Sequence, residues 1–130
     1  MKSVITTDKA PKPVGPYSQA VASDDLVFVS GQIGIDPGTS RLVEGGPREE
    51  AMRCMENIKA ILSASGLGMG DVVKTTIFLT DLSMFKEVNQ AYGASFASEP
   101  PARSTIGVAA LPLGAKVEIE AIAQRPRPSP

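Results

Sequence analysis

The segment "PPARSTIGV" (100–108) carries a lone arginine, Arg103, between the stiff Pro100–Pro101 pair and an apolar, strand-like run. No acidic residue follows it within several positions, so the charge has no local partner on that side. A guanidinium is a planar fork that grips a carboxylate through two parallel hydrogen bonds, and a stiff approach limits the entropy lost on binding. Arg103 is therefore the first candidate for holding a small organic acid. A solvated strand-end arginine, or half of a structural ion pair, fits the same spacing. The second candidate lies in "VEIEAIAQ" (117–124), where Val117, Ile119, Ala121 and Ala123 alternate with Glu118, Glu120, Ile122 and Gln124. A partly buried glutamate has a raised pKa and becomes a better base near neutrality. Alternation does not choose between Glu118 and Glu120, and both also suit a plain polar or interfacial face.

Lesser candidates surround these two. Gly31, inside "VFVSGQIGI", marks either a β-bulge or a place where another group approaches the backbone, with an amide free to donate to a ligand oxygen. Ser30 beside it can orient polar groups. Tyr17 follows Gly15-Pro16 on a stiff turn, where core packing also accounts for it, and Asn89 flanks an apolar helical stripe, where a polar residue either points into a pocket or holds a loop. Cys54 reads as a small core residue. The 130-residue chain has no histidine and one cysteine. That composition excludes structural zinc, Cys-His and Ser-His-Asp nucleophiles and internal disulfides, and no Asp/Glu cluster has metal-ligand spacing. No metal is expected. Any chemistry falls to Arg, Glu, Tyr, hydroxyls, backbone groups and water.

The elements that must position these residues read as one α+β domain over 1–124, with "RPRPSP" (125–130) as a disordered tail. "PYSQAV" (16–21) and "DDLVFVSGQIGI" (24–35) suggest two strands around a tight turn, and "DPGTSRLVEGG" (36–46) a loop. Pro47 suits a first helical position, with Glu49 and Glu50 in the first turn. Ala51, Met55, Ile58 and Leu62 follow as an apolar stripe, and Gly66 closes the helix. "DVVKTTIFLT" (71–80) is a strand. Asp81 or Ser83 can cap a second helix with the stripe Phe85, Val88, Tyr92 and Phe96. Strands over 102–111 and 116–124 flank the loop "PLGA". The order is β-β-α-β-α-β-β, a mixed sheet with two helices on one face. The other face, mixed in character along 117–124, is expected to be a subunit interface. Net charge is −1, with 42% hydrophobic and 21% charged residues and no basic patch, so no nucleic-acid partner is expected. No stretch has membrane-spanning length, so no membrane association and a cytoplasmic location are expected.

Four stretches, "APKPVGPYSQAV", "VFVSGQIGID", "NIKAILSASGLGMGDVVKTTIFLTDLSMFKEVNQAY" and "PPARSTIGVAALPLGAKVEIEAIA", resemble the RidA (YjgF/YER057c/UK114) family over nearly the whole chain. The resemblance implies a chorismate-mutase-like fold, a homotrimer with clefts between subunits, and hydrolysis of 2-imino acids or their enamine tautomers to 2-keto acids and ammonia without a cofactor. It implies that Arg103 binds the substrate carboxylate and that Glu118, not Glu120, orients the water. Tyr17, Ser30, Gly31, Asn89 and Thr105 match other substrate-binding positions. Thr105 stands where many members carry cysteine, and Pro100 where phenylalanine is frequent. The departure bears on substrate range more than on the reaction. A non-catalytic regulatory protein that senses small carboxylates in the same cleft is the alternative; the ribonuclease activity proposed within the family conflicts with the balanced charge.

If the last two strands pair as a hairpin around "PLGA", Arg103 falls opposite roughly residue 123 and Glu118 about five residues away, or ~16 Å. One chain then cannot bring the two together, and they are expected to meet across a subunit boundary.

Overall fold

The computed structural model describes residues 1–126. Eight strands and two helices follow in the order β1 (Lys2–Ile5), β2 (Ala20–Ser23), β3 (Leu26–Ile33), β4 (Ile35–Asp36), β5 (Arg41–Leu42), α1 (Pro47–Ala64), β6 (Val72–Leu79), α2 (Phe85–Gly93), β7 (Ala102–Gly107) and β8 (Val117–Gln124). Six strands form one sheet in the order β1-β2-β3-β8-β6-β7, and β4 and β5 form a small separate ribbon. Only β6 and β7 run parallel; the other neighbours are antiparallel.

The expected α+β class, with a mixed sheet and two helices, is what the chain adopts. In detail it departs from the expected β-β-α-β-α-β-β order. An additional edge strand, β1, precedes the first expected one, and the loop after β3 folds into the β4–β5 ribbon. The strand expected at 16–21 begins only at Ala20, because Gln19 turns its amide toward Thr7, Ala10 and Pro11. The last two strands do not form a hairpin. A strand, a helix and a strand in succession (β6, α2, β7) close most readily as a parallel crossover, which puts β7 at the sheet edge. The stretch 108–116 then carries the chain back to β6's other side, where β8 sits in the middle of the sheet. Arg125, in the segment expected as a tail, donates its backbone N–H to Asp25 O and its guanidinium to Ser65 O. The rest of that segment, 127–130, lies outside the described residues.

Strand period explains the core. Val117, Ile119, Ala121 and Ala123 of β8 are buried against the helices with Ile77 and Leu79 of β6 and Val27 and Val29 of β3. The α1 stripe Ala51, Met55, Ile58 and Leu62 is buried on them, with Cys54 and Ile61 beside it. Gly66 at φ 80° ends the helix, and the Arg125 guanidinium takes one of its last free carbonyls. The opposite sheet face keeps Val4, Phe28 and Ile106 exposed, beside Glu120 and Thr76.

Candidate functional site

A cleft of about 610 Å³ opens on the face of the sheet away from the helices. Its base is the strand pair β3–β8, and its walls come from the loops before β2 and before β8. Tyr17, Ser30, Gly31 and Glu118 all line it. Glu118 reaches it because β8 alternates: odd positions enter the core, and Glu118 points the other way, opposite Ile33 and Phe78. Between Val29 and Gln32 the ladder of β3 slips, so Ser30 and Gly31 form a bulge. The bulge and the close approach are both present at Gly31. A Cβ there would lie 2.6 Å from Glu118 Oε2, so the carboxylate occupies the space a side chain would fill.

Burial, reinforced by the charge of Glu120, holds the Glu118 carboxyl above the usual carboxylate range. Among the described residues nothing donates a hydrogen bond to it. Glu120, also on this face, is exposed and sits opposite Thr76, clear of the cleft. Ser30 donates its hydroxyl to Ser18 O at 2.6 Å, and its backbone N–H to Gln19 O, which ties the bulge to the loop before β2. Tyr17 is half-exposed, and its hydroxyl accepts from Val14 N–H.

Arg103, Asn89 and Thr105 form a second cluster elsewhere. Arg103 lies opposite Thr75 on the parallel neighbour β6, and Thr75 faces the helices, where its hydroxyl shares a 2.7 Å hydrogen bond with Tyr92 Oη. Arg103 therefore points toward α2. Its Nη1 donates to Asn89 Oδ1 at 2.8 Å, and its guanidinium carbon stands 5.0 Å from the Tyr92 ring centroid and 5.3 Å from that of Phe85. These contacts explain the Phe85–Tyr92 spacing on α2: one helical face supplies both rings, with Asn89 between them. No carboxylate pairs with Arg103 among the described residues. Thr105, two residues on, points the same way, and its hydroxyl is buried with no hydrogen-bond partner among the described residues.

The two clusters do not meet within one chain. Arg103 and Glu118 project from opposite faces of the sheet, since their β6 neighbours Thr75 and Phe78 do. They are two strands and three register positions apart, roughly 14 Å at ~4.8 Å per strand and ~3.3 Å per residue. The separation expected from the sequence stands, although the hairpin from which it was derived does not form.

Three polar residues that hold the cleft were missed. Gln19 is buried, accepts Thr7 N–H and donates to the carbonyls of Thr7, Ala10 and Pro11, fixing the loop that carries Tyr17. Asn57 on α1 is fully buried and donates to Ile33 O and Ile35 O, while Arg53 donates to its carbonyl. Glu50, beyond its first-turn position, is buried and accepts Lys116 N–H at 2.8 Å. Glu50 and Asn57 carried a signal, because both fall on the apolar side of α1 where a polar residue needs a partner. Gln19 carried none. No group of three or more His, Cys, Asp or Glu among the described residues has metal-holding geometry, and no helix among them is long and apolar enough to cross a membrane.

The family model described as endoribonuclease L-PSP matches residues 7–125. Protein DfrA of Myxococcus xanthus is 54% identical over 124 residues, covering 94% of this chain and 95% of that protein. The 2-iminobutanoate/2-iminopropanoate deaminase of Homo sapiens is 49% identical over 123 residues, covering 95% and 90%. The crystal structure of E. coli TdcF with bound serine superposes with a TM-score of 0.91 at 42% identity, covering 95% of this chain and 99% of that one. With the match spanning both clusters and every strand of the main sheet but β1, the chain belongs to the endoribonuclease L-PSP family, the YjgF/RidA proteins its sequence resembles.

Proposed function

We propose that this protein hydrolyses 2-imino acids and their enamine tautomers, such as 2-iminobutanoate and 2-iminopropanoate, to 2-oxo acids and ammonia. The site is a cleft shared between copies of a cytoplasmic homotrimer, with Glu118, Tyr17, Ser30 and Gly31 from one copy and Arg103, Asn89 and Thr105 from the next. One observation carries the reading: Arg103 is braced by Asn89 and two aromatic rings, yet has no carboxylate partner among the described residues. Such a cation is a receptor for an acid that the chain does not supply. The exposed apolar residues of the open sheet face support its contact with another copy. The named activity of the human relative and the serine bound by TdcF support the substrate class.

A protonated imine is electrophilic enough to need no metal and no covalent nucleophile. Arg103 fixes the carboxylate of the guest, and Thr105 adds a hydroxyl beside it. Glu118, its affinity for protons raised, takes a proton from water as the oxygen adds to the imine carbon, giving a carbinolamine. The same carboxyl returns that proton to nitrogen and, a carboxylate again, takes the hydroxyl proton as the C–N bond breaks, so ammonia leaves as the carbonyl forms.

The test couples a serine/threonine dehydratase to 2-oxo-acid release. Arg103→Ala is expected to lower kcat/KM by about 10- to 150-fold, the worth of a charged hydrogen bond. Arg103→Ala and Glu118→Gln copies, each impaired alone, are then unfolded together and reassembled as mixed oligomers. In a ring where each site draws one residue from each neighbour, about a quarter of the sites are intact and activity rises above that of either variant alone. No recovery on mixing sinks the shared site. Unaccelerated release by the wild type sinks the enzyme, and 2-oxo-acid binding without it would establish the sensor instead.

A further inference from the structure

The geometry points to Leu113 and Val14 as the residues that select the guest's side chain, and to 2-imino acids with extended aliphatic side chains as the class this cleft takes. The inference rests on the function proposed above. A 2-imino acid has three substituents on its reacting carbon. With the carboxylate on Arg103 and the imine beside Glu118, the side chain turns to the remaining wall. That wall is apolar: Val14, Ile33, Pro112 and Leu113.

Leu113 and Val14 are the parts of it that core packing does not explain, being 70% and 82% exposed at the cleft mouth. Leu113 also holds the left-handed conformation, φ 56° and ψ 26°, in the turn that ends in Gly114 at φ 72°. Glycine makes such a turn freely, whereas leucine does so at a cost. An exposed isobutyl group kept in an unfavourable backbone at the edge of a cleft fits a role in that cleft. Lys12 is the one cation that the chain's described residues bring to this part of the cleft, and an acidic side chain is the competing guest.

The experiment measures calorimetric binding of pyruvate, 4-methyl-2-oxopentanoate and 2-oxoglutarate to wild type, Leu113→Gly, Leu113→Met and Val14→Ser, with melting temperatures alongside. The wild type is expected to bind 4-methyl-2-oxopentanoate about tenfold more tightly than pyruvate, near the low end for apolar side-chain discrimination because the rim is open. Leu113→Gly, which suits the backbone and so folds, is expected to cut that ratio to about threefold, as is Val14→Ser, while Leu113→Met restores it. A ratio near one in the wild type, an unchanged ratio in Leu113→Gly, or tightest binding of 2-oxoglutarate overturns the inference. If imine hydrolysis is present while the ratio is flat, this inference alone fails. If no 2-oxo acid binds and no imine is consumed, the proposed function fails and takes this inference with it.

Discussion

Gly31→Ala separates the fold from the site. The added Cβ would lie 2.6 Å from Glu118 Oε2, 2.9 Å from Cδ and 3.2 Å from Cγ. Ordinary contact begins near 3.4 Å, so the carboxylate must retreat by at least 3.4 − 2.6 = 0.8 Å. What yields is the end of a flexible side chain in an open cleft, so the fold is little affected. We expect a loss of no more than about 1 kcal/mol, a melting temperature within about 4 °C of wild type. The base, however, leaves its place, and a displacement near 1 Å at a reacting centre costs on the order of 100-fold in kcat/KM. Gly34→Ala is the control. Its Cβ would meet backbone, Glu50 Cα at 2.8 Å and Glu50 O at 2.9 Å, which α1 cannot move aside. Overpacking of that kind costs about 1–3 kcal/mol and lowers the melting temperature in proportion. The coupled dehydratase assay and thermal melts of both variants decide. Full activity in Gly31→Ala, or equal destabilisation by the two substitutions, refutes the reasoning.

Other outcomes follow from the polar contacts. Gln19→Ala strips partners from the carbonyls of Ala10 and Pro11 and should cost about 1–3 kcal/mol in denaturant titration, with faster amide exchange at Thr7. Tyr92→Phe keeps the ring beside Arg103 but leaves the buried Thr75 hydroxyl without its 2.7 Å partner, and should cost a similar ~1–3 kcal/mol. Because burial raises the Glu118 carboxyl, the folded chain holds that proton more tightly than the unfolded chain. Its stabilising share is complete below the unfolded value and is lost as pH climbs through the raised one. Glu118→Gln should therefore melt above wild type at pH 7, with the gap closing below about pH 4; a gap that persists in acid contradicts the shift.

Periodicity was the legible part. The alternation of "VEIEAIAQ" placed Val117, Ile119, Ala121 and Ala123 in the core, and the spacing of Ala51, Met55, Ile58 and Leu62 set α1 against them. Which strand β7 joins was not legible, because a parallel crossover and a hairpin make the same demands on residues 102–107 and 117–124. β1 was hidden for another reason: three of its four residues are exposed, so it shows almost no apolar pattern. The residues alone also left Glu118 and Glu120 equivalent. The bulge at Ser30–Gly31 makes them different, since it opens room beside Glu118, and only the register of β3 against β8 shows which glutamate it faces.

That register also bears on why the charged groups sit where they do. Had Arg103 and Glu118 been neighbours in one chain, they would have formed an ion pair, lowering the glutamate's proton affinity and occupying the guanidinium's donors. On opposite faces, each keeps the property that chemistry needs: among the described residues Glu118 is a raised carboxyl with no donor, and Arg103 a braced fork with no carboxylate. In the proposed assembly the two come into one cleft only across copies, and the guest's own carboxylate then competes for the fork. A sheet covered by helices on one side alone is suited to this arrangement. In the proposed assembly that uncovered face, with Val4, Phe28 and Ile106 exposed on it, is the one that meets another copy. Assembly and catalysis would then draw on the same bare face, so a charge placed at Phe28 should dissolve the oligomer and abolish turnover together, while leaving the monomer's buried helix face intact.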